Sequence, residues 1–404
     1  MDILEFSSLP KTAGGSSTGG VGIHAWDLST KLSNSGYSVT VAGHNVGKYL
    51  QKKSTKDGVT IIGPSLISMM HALVCTILCY SWWKNYIRYF SGIRIKYKLK
   101  YLIYGIYVNS VFRVMDGKPD VIHIHHASYK WPFINYELDR RFAASRPPIL
   151  VSEHGFHDWM FYERTEARKN LIKKGLQESD NIIYNTQQTK NEAERIFGEE
   201  TTSGKIWTGI NGVDMTQYNL TNPQRAKEKI GADKSSKLIL YVGRLENRKG
   251  ISEFIKSLNL ISNMDLDVRI IGKGNDDRIW DQANSEIQRK ITHEEYVEDL
   301  NKYYTAANIF ISPSYHEDFG LTFIESMACG TPVVGTTGIP TEVIPPNNQF
   351  GYRAQIKDSQ DLSKKIHKAL MSDWDNEEIR NHAEQFSWDK KILEYHNIFK
   401  EVAH

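Results

Sequence analysis

The sequence predicts an α/β protein of two Rossmann-like domains built on parallel sheets, and three observations predict it. The chain has 404 residues, which is long for one typical domain and sufficient for two of roughly 200. It opens with a strand, a glycine-rich loop, a helix and a second strand over Asp2 to Ala42. A strand, loop, helix and strand recur between Ala307 and Val334. Composition agrees: 40% hydrophobic and 24% charged residues describe a globular chain and exclude a disordered one. The formal charge is only +3. Cys75, Cys79 and Cys329 form neither a disulfide framework nor a metal-ligand spacing, which fits a reducing compartment. Met1 leads into an apolar strand without a basic n-region, so no signal peptide is expected and a cytoplasmic location is.

Taken in order, Asp2 to Phe6 reads as the first strand, Lys11 to Gly22 as the glycine-rich loop, His24 to Ser35 as a helix stopped by Gly36, and Tyr37 to Ala42 as the second strand. Glycines in a first βα turn let backbone approach a ligand, and the helix N-terminus that follows favours anions. Gly20 to Ala25 spells G-x-G-x-x-A. A dinucleotide site is nonetheless disfavoured, because the loop is too long and the second strand ends in Ala42-Gly43-His44 without a ribose-binding acid.

Residues 46–113 hold eleven Lys and Arg against the single acid Asp57, and Gly58 to Trp83 contains no charged residue. Leu66 to Trp83 is nearly all apolar and closes on Trp82-Trp83. Apolar residues at 86, 89, 90, 93, 97, 101, 104, 107 and 108 fit a helix, while Ile93 to Lys100 alternates like a strand. A basic, aromatic stretch beside an uncharged one predicts an element lying on an anionic membrane surface, where each cation contributes about 1 kcal/mol. A buried core helix and a membrane span compete for 66–83, which is near the lower length limit for crossing. A span would split one domain across the bilayer. Nucleic acid is not an expected partner, since a phosphate-tracking groove has no use for the uncharged run.

Asp120 to His125 and Pro148 to Ser152 read as strands. His123 and His125 share a strand face, with His126 following, but no acid or cysteine stands beside them in the sequence, so a metal is not expected. His154 sits past the carboxyl end of its strand, where open α/β sheets bind ligands. Asn181 to Tyr184 is a further strand with a helix to Phe197, and Gly198 to Gly204 is the best linker. Beyond it, Lys237 to Val242 and Asp267 to Ile271 are strands. Arg244 and Lys249 follow the first of these, at a strand end and a helix start, where two cations could meet a diphosphate. Gly272-Lys273-Gly274 follows the second.

The segment from Ile311 to Ile344 carries the most information. An apolar strand ends at Pro313, and Glu317 and Glu325 lie about two helical turns apart around Gly320. A helix over Thr322 to Ala328 stops at Gly330 and Pro332. With Pro313-Ser314, Phe319-Gly320, Met327-Ala328 and Pro332-Val333-Val334, this segment resembles the signature of the retaining GT-B glycosyltransferases of family 4, also called glycosyltransferase group 1. The chain departs from the family pattern at Gly338-Ile339-Pro340, where a Gly-Gly pair is usual, and the family's aromatic-x-Gly element is not evident between 287 and 299.

The resemblance implies the GT-B fold, two Rossmann-like domains whose parallel sheets face an interdomain cleft. It implies an acceptor-binding domain over 1–203 with 46–113 as an insert, a nucleotide-sugar domain over 204–385, and a helix over 386–404 that crosses back to the first. Gly19, Gly20 and Gly22 would face the donor phosphates and the acceptor, and His154 the reacting sugar. Arg244 and Lys249 would neutralise the leaving diphosphate, together with the helix amides at Gly320, Leu321 and Thr322 beside Phe319. Glu317 would hold the donor sugar, Glu325 the ribose, and Gly274 would lie near the base. No metal or other cofactor is needed if two side-chain cations hold the diphosphate. The implied reaction is retaining glycosyl transfer from a nucleotide-sugar to an acceptor; the basic, aromatic surface of 46–113 points to a lipid-linked or saccharide acceptor, in polysaccharide or glycolipid assembly at the cytoplasmic membrane face. The alternatives are a nucleotide-sugar 2-epimerase of the same architecture, acting on the donor alone, and a membrane-bound scaffold without turnover.

Overall fold

The computed structural model describes all residues except 17–19, 44–52, 64–65, 91, 94, 127–129, 157–165, 202–204, 210, 275–276 and 404. The chain forms two compact units, Met1–Ile210 with Ile392–His404, and Asn211–Lys391. Each is a parallel-sheet α/β structure.

The first sheet contains β1 (Asp2–Ser7), β2 (Ser38–Gly43), β3 (Lys53–Lys56), β4 (Val59–Ile62), β5 (Val121–His125), β6 (Ile149–Glu153), β7 (Asn181–Tyr184) and β8 (Lys205–Thr208), in the order β3-β4-β2-β1-β5-β6-β7-β8. All pairs are parallel except β3 with β4. Every residue of β5 and β6 is buried, which is why parallel strands read as apolar runs in sequence. Lys205–Thr208, expected at the opening of the second domain, pairs with β7, so the first unit extends past it.

Helix α1 (Gly20–Asn34) begins four residues before the expected His24. Its glycines are poor helix formers, but Ala25, Leu28 and Leu32 are buried and hold the helix by packing. The β3–β4 hairpin was not expected. It turns at Asp57 and Gly58, both at positive φ (50° and 77°), as a two-residue Asp-Gly turn requires.

The uncharged and basic insert is helical: α2 (Leu66–Ile77), α3 (Tyr80–Phe90) and α4 (Ile95–Val114). The helical spacing therefore prevails over the alternation of Ile93 to Lys100. Trp82, expected at a membrane surface, is 1% exposed. Its ring stacks on Tyr86 at 5.5 Å and on Phe133 at 5.5 Å, and Phe90 stacks on Phe133 at 5.3 Å. Against these, α4 packs Tyr101, Tyr107, Val108 and Phe112. Helix α2 is two-faced. Ala72 and Thr76 are buried, whereas Met70, Val74 and Ile77 are 60%, 53% and 56% exposed on the opposite side. No helix among the described residues is long and apolar enough to cross a membrane.

The second sheet contains β9 (Lys237–Val242), β10 (Leu266–Ile271), β11 (Ile291–Glu294), β12 (Ile309–Ile311), β13 (Val333–Thr336) and β14 (Gly351–Ala354), all parallel, in the order β11-β10-β9-β12-β13-β14. The last helix, Trp388–Ala403, leaves this unit after Lys391. Within the first unit, its Tyr395 and Phe399 rings lie 6.2 and 5.8 Å from the ring of His123.

Gly105 tests the aromatic core. A Cβ there would lie 2.5 Å from Trp82 Cζ2 and 2.6 Å from Phe133 Cε1. Alanine in a helix interior is ordinarily favoured over glycine by about 0.5–1 kcal/mol, but overpacking costs about 1–3 kcal/mol. Gly105→Ala is therefore expected to lower stability by about 1–2 kcal/mol in denaturant unfolding. A stabilised variant would show that the stacked rings yield.

Candidate active site

In an open parallel sheet, neighbouring crossovers leave to opposite faces where the strand order reverses, and ligands bind at the carboxyl ends of the strands there. In the second sheet that place is between β9 and β12. The loops leaving these strands carry most of the expected site residues.

Arg244 follows β9 and is 59% exposed, with Nη1 2.8 Å from Glu246 Oε1. Lys249 closes a short 3-10 turn, Asn247–Lys249, and the α-helix proper begins at Ile251. Gly250 has φ 69°, and a Cβ on it would fall 2.0 Å from Pro313 O. Backbone thus meets backbone between the β9 and β12 loops, and Tyr315 N donates to Arg248 O at 2.9 Å. This contact delivers Lys249 Nζ to Glu317 Oε1 at 2.5 Å. The same carboxylate oxygen accepts from Ser314 Oγ at 2.6 Å, and Glu317 N donates to Gly338 O at 3.1 Å. Gly338 cannot carry a side chain there, since its Cβ would lie 2.2 Å from Tyr315 O.

Burial alone would raise the Glu317 carboxyl, but the Lys249 charge and hydrogen bond, then that of Ser314, hold it below its ordinary value. Gly320, at φ 92° and ψ 60°, starts the helix Leu321–Ala328 without a side-chain cap, so first-turn amides stay available to an anion. Phe319 is buried against Phe386, ring to ring at 5.5 Å. Leu321 and Thr322 are half-buried in the first turn. Glu325 accepts from the buried Tyr304 hydroxyl at 2.8 Å. Gly274 bridges to Leu245 beside the β9 end.

In the first sheet the order reverses between β1 and β5. Gly20 is the exposed first residue of α1, Gly22 is buried in its first turn, and Gly19 lies outside the described residues. His154 is buried, and its Nε2 lies 2.8 Å from His125 Nδ1. The acid missing beside His123 in sequence arrives from the neighbouring strand: Glu5 pairs in register with His123, and its Oε1 lies 3.1 Å from His123 Nδ1. Glu5, His123 and His125 each place one possible ligand atom within 4.8 Å of the others. Burial and neighbouring histidines hold His125 and His154 well below the ordinary histidine range. Burial, then His123, brings His24 down to about 3.

The second unit holds two Asp-x-Asp triplets, Asp265-Leu266-Asp267 and Asp373-Trp374-Asp375, and three of their four acids have structural partners. Asp267 binds Arg269 at 2.7 Å, Asp265 accepts from Ser236 at 2.8 Å, and Asp375 caps the helix Asn376–Glu384. Sequence reasoning missed the supporting roles of Ser314, Gly338 and Tyr304. Ser314 was visible inside the motif, whereas Tyr304 and Glu5 are brought in only by pairing of elements distant in sequence.

A family model described as glycosyl transferases group 1 matches residues 223–386, and one described as glycosyltransferase family 4 matches residues 18–217. An uncharacterized glycosyltransferase of Methanocaldococcus jannaschii is 26% identical over 95% of this chain and 94% of its own length. N-acetyl-alpha-D-glucosaminyl L-malate synthase of Bacillus anthracis is 22% identical over 70% of this chain and 75% of its own. D-inositol 3-phosphate glycosyltransferase of Corynebacterium aurimucosum is 27% identical over 59% and 61%. Among solved structures, sucrose-phosphate synthase from Thermosynechococcus elongatus superposes with a TM-score of 0.74 at 20% identity, covering 99% of this chain and 98% of that one. Anabaena HepE, in complex with UDP and glucose, superposes at 0.68 with 13% identity, covering 99% and 100%.

The Lys249–Glu317 pair has a pH signature. A carboxyl held low in the folded state contributes stability that is present above its ordinary value of 4.5 and lost as pH falls through the lower folded value. Lys249→Met should cost about 1–3 kcal/mol at pH 7, less than breaking a fully buried pair. Its thermal midpoint should also fall less steeply than the wild type's below pH 5. Parallel pH profiles for the two proteins would show that the pair is not coupled to folding.

Proposed function

This chain belongs to the group 1 glycosyltransferases of family 4, and we propose that it moves a sugar from a nucleotide-sugar to a lipid-linked or saccharide acceptor, with retention at the anomeric carbon and without a divalent metal. The observation that carries this reading is the Lys249–Glu317 contact at the strand-order reversal of the second sheet, with Arg244 exposed on the same loop. Arg244, Lys249 and the uncapped amides from Gly320 to Thr322 neutralise the departing diphosphate electrostatically, which is what the leaving group requires. Glu317 orients Lys249 and accepts hydrogen bonds from the donor sugar, and Glu325 holds the ribose. Gly274 lies on the base side, and Gly20, Gly22 and His154 serve the reacting sugar and the acceptor.

An acceptor carried on a lipid is favoured by one feature of this chain. The curated relatives are named for L-malate and inositol 3-phosphate, which need no membrane. Helix α2, however, turns Met70, Val74 and Ile77 outward, and Leu78 and Tyr80 are exposed directly after it. Lys84, Arg88 and Lys100 are exposed on α3 and α4. An apolar helix face in a basic segment suits the surface of an anionic bilayer on the cytoplasmic side.

The donor site is tested by thermal stabilisation with a panel of nucleoside diphosphates and nucleotide-sugars in chelator. A hundredfold excess over the dissociation constant should add about 2.7 kcal/mol for one base. Lys249→Ala should cut turnover about 10²–10³-fold, the range for one preorganised electrostatic group. Absence of any shift, or a shift only with Mg²⁺, would overturn the metal-free donor site, and product formed from donor alone would point to an epimerase. The membrane surface is tested by sedimentation with phosphatidylserine-containing vesicles. Wild type should co-sediment, and Val74→Asp with Ile77→Asp should weaken binding by about tenfold or more, given insertion penalties above 1 kcal/mol per charge. Equal sedimentation of the two proteins would remove α2 from that role.

A further inference from the structure

His123, His125 and His154 lie together at the strand-order reversal of the first sheet. Strand β5 puts His123 and His125 two residues apart on one face. Strand β6 pairs Ser152 with His125 and continues to His154. The two nitrogens of His123 are both engaged, Nδ1 with Glu5 Oε1 at 3.1 Å and Nε2 with Ser152 Oγ at 2.7 Å. His123 therefore has no nitrogen left for His125, although their rings are 4.4 Å apart. His126 is likewise engaged through Nδ1 with Glu153 Oε2 at 3.0 Å. His125 makes its hydrogen bond between Nδ1 and His154 Nε2, at 2.8 Å. Its Nε2 is buried without a hydrogen-bond partner among the described residues.

A neutral imidazole carries one N–H, so the 2.8 Å contact has two proton arrangements. If His154 donates from Nε2, the proton of His125 must sit on its own Nε2, and a buried N–H is left with nothing to accept it. If His125 donates from Nδ1, its buried Nε2 is a bare acceptor. Orphaned buried backbone N–H groups are rarer in folded proteins than under-used carbonyls, and an unpaired buried ring N–H carries the same kind of cost, so the second arrangement is favoured. His154 Nε2 then accepts, and the proton of His154 resides on Nδ1, which makes no hydrogen bond among the described residues.

We infer that His125 is a positioning residue that holds His154 as its Nδ1–H tautomer, so that His154 presents a hydrogen-bond donor to an oxygen of the bound sugar substrate. The tautomer follows from the buried contact alone, while its use rests on the role proposed above for His154. A merely structural His125 would need its ring volume but not its Nδ1–H.

The test is nitrogen NMR of the full chain labelled in its histidine rings, without substrate, with His154 assigned from the His154→Ala spectrum. Wild type should show His154 with Nδ1 protonated and Nε2 bare. His125→Asn, whose side-chain amide can donate from the position of Nδ1, should keep that pattern. His125→Phe, which keeps the ring but not the donor, should lose it to a mixture. An Nε2–H form of His154 in the wild type, or an unchanged His154 in His125→Phe, overturns the inference. In donor turnover, His125→Phe should be about tenfold slower and His125→Asn close to wild type, the size of one hydrogen bond. Equal turnover in His125→Phe and wild type would remove the functional half. Unaltered turnover in His154→Ala would instead refute the role of His154 in the reaction, a failure the spectra distinguish because they read the tautomer without substrate.

Discussion

Each sheet reverses its strand order once, and the placement of functional groups depends on that reversal. Parallel strands need crossovers, crossovers of one hand must cover both faces, and the reversal is where neighbouring crossovers diverge. In the second unit the loops leaving β9 and β12 pack on each other there, with Gly250 against Pro313, and the β12 loop is backed by the β13 loop, with Gly338 against Tyr315. Neither glycine tolerates a Cβ, so the approach of the two backbones is what sets the Lys249–Glu317 distance. In the first unit the same reversal pairs β1 with β5 and brings Glu5 beside His123.

A consequence is that charge is held where sheets would otherwise be apolar. Glu317 remains ionised because a cation and a hydroxyl share its Oε1. His24, His125 and His154 stay neutral because burial disfavours their charged form. On the proposed function, one site is thereby suited to an anionic leaving group and the other to hydrogen bonding without charge. Both use preorganised polar groups, which lose little on binding because the fold has already oriented them.

The insert of α2, α3 and α4 both packs into the core and presents an apolar face outward. Its apolar residues divide between core and surface. Trp82, Tyr86 and Phe90 enter the core with Phe133, while Met70, Val74 and Ile77 face outward from α2. The uncharged run from Gly58 to Trp83 is therefore neither wholly core nor wholly surface.

What the sequence determined by itself is local. The strands at 2–6, 120–125, 181–184 and 237–242, the helix after Gly320, the break at Gly330 and the motif from Pro313 to Val334 were legible, because periodicity, glycine and proline act within a few residues of themselves. Tertiary structure decided what depends on partners distant in sequence. The start of α1 at Gly20 rests on packing that outweighs glycine's poor propensity. The hairpin at Asp57-Gly58 was not expected, and its place beside β2 follows only from the pairing of β4 with β2. Trp82 became a core residue because Phe133, some fifty positions on, supplies the ring it stacks against. Glu5 and His123, and likewise Tyr304 and Glu325, meet only through strand and helix pairing, and no local pattern encodes which of many acids will be the one a sheet brings alongside.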